Sequence, residues 1–339
     1  MRAFLITGML LVGLAHTVAA QDFRAGIEAF HSGDYEAAFQ ELRPLAEQGD
    51  AYAQGLLGLM YEFGKGVSQD HVEAARWYRL SGEQGDWNSQ FYLGWFYETG
   101  RGVPQDYEEA ARWYRLSAEQ GESRAQFNLG LLYETGDGVP QDYAEALRWV
   151  RLSAEQGHAD AQVLVGSIYA TGDRVTQDYT EAVRWFRLGA EQGHPLAQFN
   201  LAMLYKNGLG VPQDYEISVK LLLRSAQQGF VSAQLNLGSM YERGEGVPQN
   251  YAEAVMWFRL GAEQGDADSQ LMLGEMYRRG HGVLQDDVYA HMWVHIAASN
   301  GNQYALRNRD IFSENLTAEQ IAEAQRLARE CEAAEYRGC

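Results

Sequence analysis

Residues 87–122 have the sequence WNSQFYLGWFYETGRGVPQDYEEAARWYRLSAEQGE and predict two helices joined by a tight loop. The run at 100–104, GRGVP, ends the first helix, because glycine adopts the left-handed turn and proline cannot continue a helix. Gly94 has no side chain and is expected to let the second helix approach closely. The spacing i, i+3, i+4 and i+7 predicts one face of the first helix, formed by Gln90, Leu93, Gly94 and Tyr97.

The second helix is expected to begin after Asp106. Glu109 stands three residues later, which predicts a reciprocal capping box. Gly121 follows the helix and is expected to end it. The buried stripe of this helix is predicted to contain Ala110, Trp113 and Leu116.

This unit recurs every 36 residues, without insertion or deletion, seven times from 51 to 302. A single hairpin cannot bury its own apolar face, but stacked hairpins can. The sequence therefore predicts an all-α fold, an α/α superhelical solenoid of helix-loop-helix repeats. The period is clearest in its tyrosines, Tyr61, Tyr97, Tyr133, Tyr169, Tyr205, Tyr241 and Tyr277.

The ends of the chain differ from the repeats. Residues 1–20 have one positive charge, an apolar stretch and small residues ending at Ala20, the pattern of a signal peptide cleaved after Ala20. A membrane anchor is the alternative, but residues 3–14 fall short of the ~20 that a spanning helix needs. We expect an exported, periplasmic or secreted protein. Residues 21–50 predict an N-terminal capping hairpin, and 303–339 predict C-terminal capping helices, the first from Tyr304 to Phe312 and the last beginning at Thr317.

Composition narrows the function further. The chain is 46% hydrophobic and 12% aromatic, which excludes a disordered protein, and its net charge of −19 disfavours nucleic acid and anionic membranes as partners. Its two cysteines are Cys331 and Cys339. Export permits a disulfide between them, and we expect one, although two free thiols on a frayed tail remain the alternative.

No motif predicts catalysis. The chain has no Ser-x-x-Lys, Gly-x-Ser-x-Gly or His-Glu-x-x-His, and its Gly-x-Gly loops follow helices, where turn geometry explains them. His291 and His295 have a spacing that can chelate a metal, but no third ligand is placed, and substitution within a terminal repeat is the simpler account. No catalytic residue, cofactor or metal site is therefore expected. The recurring carboxylates are expected on solvated helix ends, as Glu62, Glu98, Glu134 and Glu242.

The repeat resembles the Sel1-like repeat (SLR) family, the 36-residue relatives of tetratricopeptide repeats. The residues that carry the resemblance are Ala125-Gln126, Leu129-Gly130, Tyr133, Gly136, Gly138-Val139-Pro140-Gln141-Asp142, Ala146 and Trp149.

The resemblance implies an adaptor whose concave inner surface binds another protein or peptide. On the tetratricopeptide pattern, this surface uses the second, fifth, sixth, ninth, twelfth and thirteenth residues of the first helix. Related peptide-clamping repeats often place asparagine at the sixth, where its amide pairs with the ligand. Family consensus without a binding role is the alternative. The candidate partner-binding residues are Tyr92, Trp95, Arg124, Asn128, Asn200, Lys206, Asn236 and Arg278.

We therefore expect an exported non-catalytic scaffold for protein–protein interaction. The leading hypothesis for its specific role is a bacterial periplasmic signalling regulator. A structural component of an envelope secretion or polysaccharide-assembly complex is the alternative. A β-lactamase-like or cell-wall hydrolase is a third reading, suggested by names within the family. The members so named carry a cysteine pair in each repeat, whereas these repeats contain no cysteine. The sequence leaves the oligomeric state open.

Overall fold

The computed structural model describes residues 23–339, and the expected signal peptide at 1–20 lies outside them. Between 23 and 339 every regular element is a helix, in repeating pairs. The predicted all-α solenoid of helix-loop-helix repeats is confirmed. The chain forms two compact units, the first ending at Ala161 and the second running from Gln162 to Cys339. We describe each unit separately.

The first unit starts with a hairpin of α1 (23–32) and α2 (Tyr35–Glu47) and continues as pairs of 13-residue helices. Each pair has a first helix and a second helix joined by a glycine loop. The boundary at Ala161 falls inside α9 (Ala159–Thr171). The helices between α2 and α9 are α3 (Ala51–Phe63), α4 (His71–Glu83), α5 (Trp87–Thr99), α6 (Tyr107–Glu119), α7 (Ser123–Thr135) and α8 (Tyr143–Glu155).

The second unit repeats the pattern and ends in a different segment. Its pairs use α10 (Tyr179–Glu191), α11 (Pro195–Asn207), α12 (Tyr215–Gln227), α13 (Val231–Arg243), α14 (Tyr251–Ala262), α15 (Ala267–Arg279) and α16 (Asp287–Ser299). The terminal elements are α17 (Gln303–Asn308), a 3-10 helix (Arg309–Ser313) and α18 (Ala318–Ala333).

The expected single helix from Tyr304 to Phe312 is therefore wrong, because its second half is a 3-10 helix. Asn308 bonds through its side chain to the Tyr304 carbonyl, and Ser313 bonds to the Asp310 carbonyl. Such local side-chain bonds compete with regular helix.

The helix ends follow from local chemistry. Gly100 has φ +70° and ends α5 in the left-handed conformation. At the start of α6, the Asp106 carboxylate accepts from the amides of Glu108 and Glu109 at 3.0 and 3.1 Å. The Asp106 amide itself donates to the Tyr97 carbonyl at 2.9 Å. The expected reciprocal box with Glu109 is wrong because this amide is already used.

Glu109 instead forms an ion pair with Arg112 at 3.0 Å and accepts from Trp113 Nε1 at 3.1 Å. A reciprocal capping box does occur at the start of α18, between Thr317 and Gln320.

The packing of α5 on α6 is close because of Gly94. A Cβ at this position would lie 2.7 Å from the ring of Tyr114, so any larger residue would separate the helices. On α6, Trp113 and Tyr114 are buried, whereas Leu116 is 37% exposed. The expected burial of Leu116 is wrong, since it lies outside the arc of α6 that Trp113, Tyr114 and Ser117 occupy.

A recurring glutamine links neighbouring repeats. Gln126 Nε2 donates to the Ala118 carbonyl of α6 at 3.1 Å, and its Oε1 accepts from Gln156 of α8 at 2.7 Å. The amide is therefore satisfied although it is buried. In the first unit Gln54 and Gln90 have equivalent bonds, and in the second unit Gln198, Gln234 and Gln270 do.

The last repeat is covered by α18. Ala324, Ala328 and Cys331 of α18 are buried in one core with Trp293 and Ile296 of α16. Cys331 forms a disulfide with Cys339, which ties the tail back to this helix. From 23 to 339, the chain contains no helix with the length and apolarity needed to cross a bilayer.

Candidate functional site

The predicted binding residues belong mainly to one face of the first helices. We call the second, sixth, ninth and thirteenth residues of a first helix its first-helix stripe, because the spacing i, i+4, i+7 and i+11 puts them on one face. In α5 and α7 these side chains are half-buried or exposed. The stripe consists of Asn88, Tyr92, Trp95 and Thr99 in α5 and of Arg124, Asn128, Leu131 and Thr135 in α7.

Two of the predicted residues meet in the first unit. The ring of Tyr92 stacks on Tyr78, with centroids 5.1 Å apart, and the Arg124 guanidinium lies 5.8 Å from the Tyr92 ring centre. Arg124 also lies 4.1 Å from the centre of Phe91 and pairs with Glu122 at 2.6 Å. The part of the α5 stripe around Tyr92 is thus an aromatic surface beside the guanidinium of Arg124, which is already paired with Glu122.

Trp95 lies on the same stripe, about one helical turn after Tyr92. The guanidinium of Arg101, from the loop after α5, lies 4.7 Å from its ring centre. The sequence reasoning missed Arg101. The signal was the loop residue after the first glycine, which is basic in the first two repeats (Lys65 and Arg101).

Asn128 is held by the framework. It lies close enough to Tyr114 to lower the pKa of that phenol, and the Tyr114 Oη donates to Glu98 at 2.5 Å. Burial and the neighbouring Glu98 raise the pKa of Tyr114, so the phenol keeps its proton. The side chain of Asn128 retains its carbonyl oxygen for a partner.

Glu62 on α3 contacts Tyr78, the ring on which Tyr92 stacks. It is only 2% exposed and accepts a hydrogen bond from Tyr78 Oη at 2.5 Å. The expected solvated helix end is wrong for Glu62, because Tyr78, from the second helix of the same repeat, covers it. Burial raises the pKa of Glu62, although the Tyr78 bond opposes the change.

In the second unit the predicted residues have varied surroundings. Asn236 donates to the Ser232 carbonyl of its own helix at 2.9 Å. Arg278 pairs with Glu275 at 2.8 Å and lies 5.5 Å from the ring centre of Phe312 in the terminal segment. Arg278 thus attaches α15 to the C-terminal segment. Asn200 and Lys206 are half-buried on α11.

His291 and His295 lie on α16 with ring centres 6.3 Å apart. Burial lowers the pKa of both imidazoles, and Arg309 lowers both further. Within the described part of the chain, no group of three or more histidine, cysteine, aspartate or glutamate side chains is placed to hold a metal ion.

Comparison with known proteins agrees with this fold. A crystal structure of a protective antigen present in uropathogenic Escherichia coli strains, displaying an SLR fold, is 32% identical, with a TM-score of 0.61 over 94% of this chain and 78% of that one. A Sel1 repeat protein from Oxalobacter formigenes is 34% identical, with a TM-score of 0.63 over 71% of this chain and 96% of that one. No curated protein resembles the chain closely enough to count as a match.

The Sel1 repeat family model matches the chain in seven consecutive segments: 51–86, 87–122, 123–158, 159–194, 195–230, 231–266 and 267–302. These segments coincide with the 36-residue units that the tyrosines and the interlocking glutamines define. The chain belongs to the Sel1 repeat family.

Proposed function

We propose that this chain is an exported, non-catalytic scaffold that binds a partner protein or peptide through its first-helix stripes, and that it acts as a periplasmic signalling regulator. Sel1 repeat proteins are generally protein-interaction scaffolds and are typically non-catalytic. The proposal extends that general role to named residues of this chain.

The observation that carries the proposal is the contrast between core and stripe. The buried glutamine is the same residue in every repeat, and it is fully engaged in linking helices. The sixth position of the first helix, on the stripe, varies among the repeats and carries four different residue types. A surface that varies on a constant framework can acquire specificity without loss of the fold. The residues at the sixth position are Leu56, Tyr92, Asn128, Leu164, Asn200, Asn236 and Met272.

Export is supported by the three-part pattern of residues 1–20. A disulfide between Cys331 and Cys339 is compatible with an oxidising compartment. The similar E. coli protein is a protective antigen. Fractionation of the native cells and intact mass of the product test this part. We expect a periplasmic or extracellular chain that begins at Gln21, and a cytosolic chain that keeps Met1 would contradict it.

Binding is tested by capture from an envelope extract. We expect the wild-type chain to retain a partner, and Asn128→Ala with Asn200→Ala to retain less, since each variant removes a polar group from a stripe. Asn315→Ala, at an exposed position away from the repeats, is the matched control and should capture normally. Full capture by the double variant would show that Asn128 and Asn200 do not contribute to partner binding.

The identity of the captured protein separates the two roles. A sensor or one of its regulators supports the signalling role. Secretion or polysaccharide-assembly components would favour a structural role instead.

A further inference from the structure

The first-helix stripes of α3 and α5 each carry two aromatic residues, Tyr52 and Phe63 in α3 and Tyr92 and Trp95 in α5, whereas the stripes of the later repeats carry none. Tyr92 and Trp95 are half-buried on the stripe, and Trp87 at the start of the helix is 46% exposed. Aromatic rings left accessible on a rigid helix are a common feature of binding surfaces. The α5 stripe is therefore a better candidate for a binding surface than the polar stripe of α13.

Arg101 at the end of this stripe differs from the other arginines that stack on tryptophan. Arg112, for example, lies 4.4 Å from the ring centre of Trp113 and pairs with Glu109 at 3.0 Å. Arg148 repeats this arrangement with Trp149 and Glu145. Between residues 23 and 339, Arg101 has its stacking contact with Trp95 and no carboxylate within 4.0 Å.

The stacked position leaves Arg101 suited to an anion. A guanidinium that stacks on an indole keeps the N–H groups at its edge, and these match the two oxygens of a carboxylate. Stacking also restricts the side chain before a ligand arrives, which lowers the entropy cost of binding. Arg101 is near enough to lower the pKa of Glu62, but that carboxyl is buried and accepts from Tyr78.

The charge near Arg101 favours an acidic ligand, in contrast to the charge of the chain as a whole. The net charge of −19 means that most of the surface repels acidic partners. At the loop position of Arg101 the two N-terminal repeats carry the cations Lys65 and Arg101. The later repeats carry Asp137, Asp173, Leu209, Glu245 and His281 at that position.

We propose that the α5 surface formed by Tyr92, Trp95 and Arg101 binds an extended peptide segment in which a carboxylate side chain stands next to an aromatic residue or proline. The carboxylate binds the edge of Arg101, and the apolar neighbour packs on Trp95 and Tyr92. This inference rests on the proposed scaffold function and names the chemical class of the partner.

The test is selection of a phage-displayed library of random 12-residue peptides against the full chain. We expect enrichment of sequences that pair aspartate or glutamate with an aromatic residue or proline. The affinity of a selected, fluorescein-labelled peptide should fall about tenfold or more with Arg101→Gln, which removes one partner of a charge pair. Arg148→Gln is the matched control, because it also removes an arginine stacked on tryptophan, and it should leave the affinity unchanged.

A double-mutant cycle makes the assignment specific. Replacing the acidic residue of the peptide by its amide should weaken binding to the wild type and have little further effect on Arg101→Gln. Circular dichroism of each variant confirms that the helices remain.

Other results separate this inference from the proposed function. Enrichment of neutral or basic peptides that still require Trp95 would overturn the acidic preference and leave a binding stripe in place. No enrichment, or peptides insensitive to Trp95→Ala and Arg101→Gln, would overturn the inference. The proposed function would then still be decided by capture from the envelope extract.

Discussion

Burial controls the chemistry of Glu62. Its carboxyl is shielded from water and bonded to Tyr78, and its pKa is raised above the ordinary 4.5 because the charged form loses hydration. A raised pKa in the folded state means that the stability it contributes is fully present below about pH 4.5. That stability is lost as the pH rises through the folded pKa.

Glu62→Gln should therefore remove this pH dependence. The amide oxygen can still accept from Tyr78, but the side chain never becomes charged. We expect the variant to gain stability relative to the wild type as the pH increases from 4 to 8, measured as the urea concentration at half-unfolding. Glu83→Gln, at an exposed site, is the control. A constant difference between Glu62→Gln and wild type across this range would contradict the assignment.

Arg174 is strained in the second unit. It has φ +70°, where the equivalent residues Gly210, Gly246 and Gly282 are glycines with φ near +70°. A side chain in this conformation costs ~1–2 kcal/mol. The exposed pair that Arg174 forms with Asp173 contributes little in compensation.

We predict that Arg174→Gly stabilises the protein by about 1 kcal/mol. Gly138→Ala, at the same loop position in the first unit, should destabilise it by about 2 kcal/mol or more, since a Cβ there would lie 2.1 Å from the Tyr107 carbonyl oxygen. Thermal unfolding measures both. A lower melting temperature for Arg174→Gly would show that the arginine stabilises the loop.

Between elements, the buried glutamines hold neighbouring hairpins together. Gln126→Leu keeps the side-chain size but removes the donor to the Ala118 carbonyl and the acceptor for the Gln156 amide. Each of these two hydrogen bonds contributes ~0.5–1.5 kcal/mol. We expect a loss of this size in the free energy of unfolding by urea. Gln227→Leu, at an exposed site, should change it by less than about 0.5 kcal/mol.

The packing of the C-terminal segment on α16 should depend on pH. His291 and His295 are neutral in the fold because burial lowers their pKa below the ordinary 6.5. The groups that face them are Arg309 and Asp310 from the 3-10 helix and Arg329 and Glu332 from α18. The unfolded segment binds protons that the folded segment does not, so its stability is complete above about pH 6.5 and falls below it.

Hydrogen exchange of the α18 amides, corrected for intrinsic rates, tests this expectation. Protection should decrease from pH 7 to 5 in the wild type and stay nearly constant in His291→Gln with His295→Gln. Equal behaviour of the two proteins would show that other groups control the segment.

For the molecule as a whole, the sequence predicts best what depends on neighbours along the chain. Gly100 and Asp106 mark a helix end and a helix start, and the 36-residue period repeats such signals, so the fold and its family follow from the sequence. Contacts across elements are less predictable. Glu62 is buried because Tyr78 covers it, and Arg278 is engaged because Phe312 lies beside it. The Glu62–Tyr78 pair recurs 36 residues later as Glu98 and Tyr114, yet only Glu62 of the two carboxylates is buried, and the Arg278–Phe312 contact has no counterpart in the period.

The candidate site shows the same division. Periodicity places Tyr92, Trp95 and Asn128 on one face, because the face follows from helix geometry. It does not predict that Asn128 lies beside Tyr114, nor that Arg101 stacks on Trp95, since each depends on the side chain that another element supplies.

Site-specific photo-crosslinking in the native cells tests partner binding by the stripe most directly. A photoreactive residue is placed at Tyr92 on the α5 stripe, or at Tyr107, an exposed residue at the start of α6. We expect a discrete crosslinked protein from position 92 and none from position 107. Crosslinking from position 107 alone, or equally from both, would contradict binding by the first-helix stripe.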